Sequence, residues 1–198
     1  SVALIPDSLM KEFQTKGGRV VLDGGGISPD VTLEPEKYSN ITIALMMQQS
    51  IFDFATEYAV KNSSIAQPQD FSVSDELYRK FIGYVKGLED FRYESESNDQ
   101  FKKLKSAAQK EDYYELGEEA FAELEKILTP NVERSLELAR DEVSELLAME
   151  LMRRYYYQSG AILYNLRFDK EVAKAVATLN DAAAYRGMLQ GSILTHAG

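Results

Sequence analysis

Cysteine and tryptophan are absent from this 198-residue chain, and histidine occurs once, at His196. Without thiols there is neither a disulfide framework nor a thiolate metal site. One histidine close to the C-terminus leaves a Ser-His-Asp triad or a histidine zinc site almost no material. It reads as a tail residue, as terminal side chains usually do. No apolar run reaches the ~18–20 residues that span a bilayer. Ser1 is followed by neither a basic n-region nor an apolar h-region, so no signal peptide is expected. Positive charge is also scarce, with 22 Lys and Arg against 32 Asp and Glu, a net charge of −10. The imbalance is local: residues 94–150 hold 16 acidic and 7 basic side chains, and residues 151–198 hold 3 and 6. A nucleic-acid ligand would need a basic stripe to neutralise its phosphates, and none is present. The asymmetry suits a solvated acidic helical face, or complementary faces that meet within the chain or across a dimer.

What is present changes texture near residue 36. Residues 1–36 carry three of the five prolines and five of the twelve glycines. Pro6–Thr15 predicts a short helix, and Arg19–Leu22 and Val31–Leu33 predict short strands around Gly-rich turns. Such turn-rich, β-leaning material has too little apolar surface to fold alone. From Lys37 the pattern is helical. Ser39–Asn62 is apolar over so wide an arc that it predicts a central, mostly buried helix. Ser74 predicts an N-cap for a helix to Lys86, with Leu77, Tyr78, Phe81, Ile82 and Val85 inward. Ser97-Asn-Asp-Gln100 reads as a capping box opening a thinly apolar, peripheral helix to about Lys110. Tyr113–Leu128 predicts another, broken at Thr129-Pro130, with Pro130 suited to the first turn of the next helix. Helix follows over 131–158 with an interruption near Ala139, and Asp169 caps a last helix along Val172, Val176, Leu179, Ala183 and Leu189.

Each constellation that could carry chemistry has a structural alternative. The run Asp23-Gly24-Gly25-Gly26 leads into Ile27-Ser28-Pro29-Asp30, a turn rather than a P-loop or a Rossmann entry, so no nucleotide cofactor is implied. Ser8-Leu9-Met10-Lys11 matches a Ser-x-x-Lys spacing, but no partner motif accompanies it. The acidic helices could host a two-carboxylate hydrolase, with Glu142 and Glu150 as test positions, yet nothing marks a cleft. Glu150-Leu-Met-Arg153-Arg154-Tyr155-Tyr156-Tyr157 is more specific. Glu150 stands three and four residues ahead of the arginines, the favourable order for helical ion pairs. Three consecutive tyrosines spread over about 200° of a helix and cannot all face one core. Tyrosine and arginine are also enriched in interface hot spots, which makes Arg153, Arg154, Tyr155, Tyr156 and Tyr157 candidate partner-binding residues.

Two stretches together carry a resemblance. PDSLMKEFQTKGGRVVLDGGGISPD near the N-terminus and ELLAMELMRRYYYQSGAI downstream resemble the carboxyl-terminal processing (tail-specific) serine peptidases, in the versions seen in the Bacteroidetes. The family's usual Tyr after Gly-Arg-Val-Val appears here as Leu22. The resemblance implies that Gly18, Arg19, Asp23, Gly24, Gly25, Gly26, Pro29 and Asp30 are structural signature positions at the end of a peptidase core. It also implies that the catalytic serine and lysine precede Ser1, so no catalytic, cofactor or metal residue falls in this chain, which should be inactive alone. Full-length relatives look like periplasmic or envelope endopeptidases that reach protein substrates through elements absent here.

The expectation is a mainly α fold of five to seven helices with a short β/loop appendage, divided into residues 1–36, the end of the peptidase core, and residues 37–198, a helical domain. The expected role is non-catalytic: supporting the protease and mediating homo-oligomerisation or the binding of a protein partner. The alternative is a free-standing helical interaction module with no protease attached.

Overall fold

The computed structural model describes residues 11–23 and 29–191. The architecture is mainly α, with a small antiparallel sheet near the N-terminus. Contacts divide the chain into two compact units, one from Ser1–Glu36 with Phe168–Gly198 and one from Lys37–Arg167. The sequence texture places a boundary at 36/37 and runs the helical domain on to 198. The structure breaks the chain again at 167/168 and groups the last helices with the N-terminal segment.

The Lys37–Arg167 unit contains α1 (Asn40–Met47), α2 (Ser50–Lys61), α3 (Asp75–Gly87), α4 (Glu96–Lys110), a 3-10 turn (Glu115–Gly117), α5 (Glu118–Leu128), α6 (Val132–Leu138) and α7 (Arg140–Asn165). Helix α2 packs along α7, and α3 packs against α6. Between them lies a continuous core that includes Leu45, Phe54, Tyr78, Phe81, Val85, Leu136, Leu147, Leu151 and Met152. Phe54 meets the Phe81 ring edge-on at 5.2 Å, the offset geometry that ring quadrupoles favour. The Tyr78 hydroxyl donates to the Leu136 carbonyl, so this fully buried phenol leaves no polar group unpaired. At the end of α7, Arg167 donates to the carbonyls of Pro68 (2.9 Å) and Phe71 (2.8 Å), which ties the α2–α3 connection to the helix. Helices α4 and α5 form a hairpin around Phe101 and Phe121, and α5 buries no residue. The thin apolar stripe of α4 fits this peripheral place.

Local chemistry explains the added helix breaks. The helix expected over Ser39–Asn62 is two helices, because Gln49 takes a left-handed conformation (φ 57°) between α1 and α2. Gln48 is held across the break by the backbone of Arg92, accepting at 3.2 Å from its N–H. The expectation of a mostly buried helix is corrected with it: α1 is apolar on every side, yet Ile43, Met46 and Met47 face outward. Ser74 caps α3 as expected, accepting from the Leu77 N–H. For α4 the cap is Ser95, which accepts from Asn98, so Ser97 lies inside the helix rather than at its start. Asn131 caps α6, placing Pro130 just outside it instead of in its first turn. The interruption near Ala139 is present, and the helix expected to end at 158 breaks at Tyr157, after which helical structure resumes to Asn165.

In the other unit, β1 (Glu12–Gln14) pairs antiparallel with β2 (Val20–Leu22), with Phe13 opposite Val21. This corrects the helix expected over Pro6–Thr15: residues 12–14 are strand, and Pro6–Met10 lie outside the described residues. The turn closes by a Gly18 N–H to Thr15 carbonyl bond, and Gly18 sits at φ 85°, where a side chain is disfavoured. Val31–Leu33 forms no strand. Asp169 caps α8 (Lys170–Asn180) as expected, but Asp181 then caps α9 (Ala182–Leu189), so the single last helix becomes two.

Candidate functional site

The described signature positions converge within the first unit. Arg19 forms a two-pronged ion pair with Asp30, one arm at 3.0 Å, and also donates to the Met188 carbonyl of α9 at 3.1 Å. The Arg19 hydrogen bonds hold the Asp30 carboxyl below the usual carboxylate range. Asp23 accepts from the Lys11 N–H at 2.7 Å, closing the open end of the hairpin. Gly191 lies beside Arg19, where an added Cβ would come within 3.2 Å of the arginine's Cγ. Pro29 and Asp30 border a groove of about 690 Å³ whose other wall comes from α8 and α9. These described residues therefore stitch loop, hairpin and C-terminal helices together. Gly24, Gly25, Gly26 and His196 lie outside the described residues.

The Arg-Tyr cluster lies on α7 and is split by the fold. Arg153 and Arg154 both pair with Glu150, the latter at 3.0 Å. Arg154 also lies 4.1 Å from the centre of the Phe52 ring and donates to Thr56 of α2. The Tyr155 hydroxyl donates to the Asn62 carbonyl (2.6 Å) and that of Tyr156 to the Ile65 carbonyl (2.8 Å), so both are tied to the segment after α2. Tyr157 differs: it is 78% exposed and interrupts α7 at φ 58°, ψ −161°. That region of backbone space is nearly reserved for glycine.

The carboxylates considered for hydrolysis have structural partners. Glu142 accepts from the Ser39 N–H (3.1 and 3.3 Å) at the start of α1, and Glu150 is held by its two arginines. Among the described residues no group of three His, Cys, Asp or Glu is placed to hold a metal ion. No helix among them is long and apolar enough to cross a membrane.

A surface that sequence reasoning missed lies where α1, α2 and α7 meet. A cleft of about 400 Å³ is lined by Leu45, Met46, Ile51, Phe52, Leu146 and Met149, with Glu150 and Arg153 at its rim. The signal was legible: Ile43, Met46 and Met47 share one face of a short helix whose opposite face, Ile41 and Leu45, fills the core.

No match was found among curated proteins or among solved structures. A family of probable PDZ-protease C-terminal helical domains matches residues 41–179, from the start of α1 into α8 and well over half of the chain. On that match the chain belongs to the family of probable PDZ-protease C-terminal helical domains.

Proposed function

We propose that this chain is the non-catalytic C-terminal region of a carboxyl-terminal processing serine endopeptidase of the periplasm or cell envelope. Its first unit completes the peptidase core, and its helical unit mediates self-association or partner binding. One observation carries the reading. Among the described residues of the first unit only Gly187 is buried, while Phe13, Val20, Leu22, Leu33, Val176, Leu179 and Leu189 are exposed. Apolar side chains at helical and strand spacing, with no core beneath them, are surfaces that another body covers. The family match supports the protease context, and the resemblance around Gly18–Asp30 supports the tail-specific class and the compartment.

Hydrogen exchange tests this in the full-length parent protein against the 198-residue chain. The amides of Val20–Leu22 and Val172–Leu179 should be strongly protected in the parent and exchange quickly in the chain alone. Equal exchange in both would sink the docking role. The complete core of the Lys37–Arg167 unit favours a second reading, a free-standing helical interaction module. That reading gains if the source polypeptide carries no peptidase domain.

A further inference from the structure

We infer that the cleft where α1, α2 and α7 meet binds an aliphatic carboxylate, with the alkyl chain in the cleft and the anionic head on Arg153. The inference goes beyond the docking role proposed above and does not depend on it. At about 400 Å³ the cleft falls within the size range of small-ligand pockets. Leu45 and Met46 of α1, Ile51 and Phe52 of α2, and Leu146 and Met149 of α7 make its lining apolar. Met46 and Phe52 keep much of their surface exposed, so the lining is reachable from solvent. On α7 the spacing of three, four and seven puts Leu146, Met149, Glu150 and Arg153 on one stripe, so apolar lining runs directly into charge.

Charge at the rim selects an anion. Two guanidinium groups meet one carboxylate there, since Arg153 and Arg154 both pair with Glu150. Arg154 is otherwise engaged: it donates to the Thr56 hydroxyl (3.1 Å) and the Phe52 carbonyl (3.3 Å) and lies over the Phe52 ring. Arg153 commits one arm to Glu150, and the rest of its fork has no partner among the described residues. Neighbouring acids do not offset this surplus. Helix α1 carries no charged residue. Asp53 and Glu57 of α2 lie about half a turn from Ile51 and Phe52 and near Tyr84 of α3. On α7, Glu142 is engaged at the Ser39 N–H and Glu145 lies near Tyr164. One positive charge with free, planar donors remains, a geometry that matches a carboxylate. An alkyl chain suits the lining better than an apolar peptide end does. A peptide brings amides that need partners once buried, and the one uncharged polar side chain in the lining is Gln49.

Calorimetric titration of the 198-residue chain with hexanoate, octanoate and decanoate, each below its micelle concentration, tests the site. Affinity should rise about two- to fourfold per added methylene, fourfold being the limit for full burial. Arg153→Gln should weaken octanoate roughly tenfold or more and leave the affinity for neutral 1-octanol unchanged. Its circular dichroism melt should match that of the unaltered chain, because Glu150 keeps Arg154 as a partner. Octyltrimethylammonium, with the same tail and a cationic head, should bind no better than octanol. With methyl-labelled methionine, the Met46 and Met149 resonances should shift on adding octanoate, while that of Met188, in the groove of the other unit, should not. Carboxylates that bind Arg153→Gln as tightly as the unaltered chain, or that shift Met188 alone, overturn the site. An acetylated peptide ending in leucine that binds through Arg153 where no alkyl carboxylate does overturns the occupant in favour of a peptide. No binding by any of these overturns the inference and leaves the docking role, read by hydrogen exchange, standing.

Discussion

Tyr157 and Gly160 are a pair in which each residue occupies a place suited to the other. The tyrosine holds a backbone geometry suited to glycine, and the glycine sits where a side chain has no room, since a Cβ there would lie 2.1 Å from the Cβ of Tyr156. Relief of strain worth about 1–3 kcal/mol should let Tyr157→Gly raise stability by about 1 kcal/mol, after the entropy that glycine loses on folding. The reverse change, Gly160→Ala, should cost about 2–3 kcal/mol, because the clash is with the root of a side chain and cannot be swung aside. Urea titration of both variants reads the two signs. Tyr78 supplies a pH signature. Burial pushes its phenol well above the ordinary tyrosine range, with Glu137 adding to the effect. The unfolded state therefore loses this proton first, near pH 10, and the folded state holds it longer. Stability is at its full value below pH 10 and should fall by up to about 1.4 kcal/mol per pH unit above it for this one group. Tyr84, Tyr155 and Tyr164, raised in the same direction by burial, add to the fall. Denaturant midpoints measured from about pH 9 to 11 check the slope, which should be shallower in Tyr78→Phe.

At the level of elements, caps decide where helices begin. Ser74→Ala removes the acceptor for the Leu77 N–H and should cost about 1 kcal/mol, read as a lower thermal midpoint of the helical unit. Much of this layer was legible in the sequence. The inward face of α3, the Ser74 and Asp169 caps and the break at Ala139 all follow from spacing and side-chain chemistry. The splits at Gln49 and Asp181 were not. Gln49 has no local reason to turn left-handed, and the break depends on Arg92, far along the chain, bonding to Gln48. The hairpin strand at Glu12–Gln14 was hidden for a similar reason: Leu9, Met10 and Phe13 fit helical spacing, and only pairing with Val20–Leu22 selects the extended form. Of the Arg-Tyr cluster, sequence could say that three tyrosines cannot share one core. It could not say that Tyr155 and Tyr156 would reach the carbonyls of Asn62 and Ile65 while Tyr157 turned outward.

On the scale of the whole molecule, the two units differ in self-sufficiency. Residues 37–167 hold every member of the main core. A chain truncated to those residues should unfold in one cooperative step, within about 3 °C of the full chain's main transition by calorimetry. A truncated chain that melts broadly or fails to fold would show that the other unit stabilises the bundle. The hydrogen bond from Arg19 to Met188 spans 169 positions, with the whole helical unit synthesised between its two ends. At about 5–20 residues per second, the ribosome takes roughly 10–30 s to deliver the second partner after the first. Most of that interval passes before α7 exists, and α7 is the helix that α2 packs along, so the bundle closes only shortly before Met188 arrives. The Met188 carbonyl is thus the late-arriving partner of the Arg19 junction, which closes only after the helical unit between them has been made.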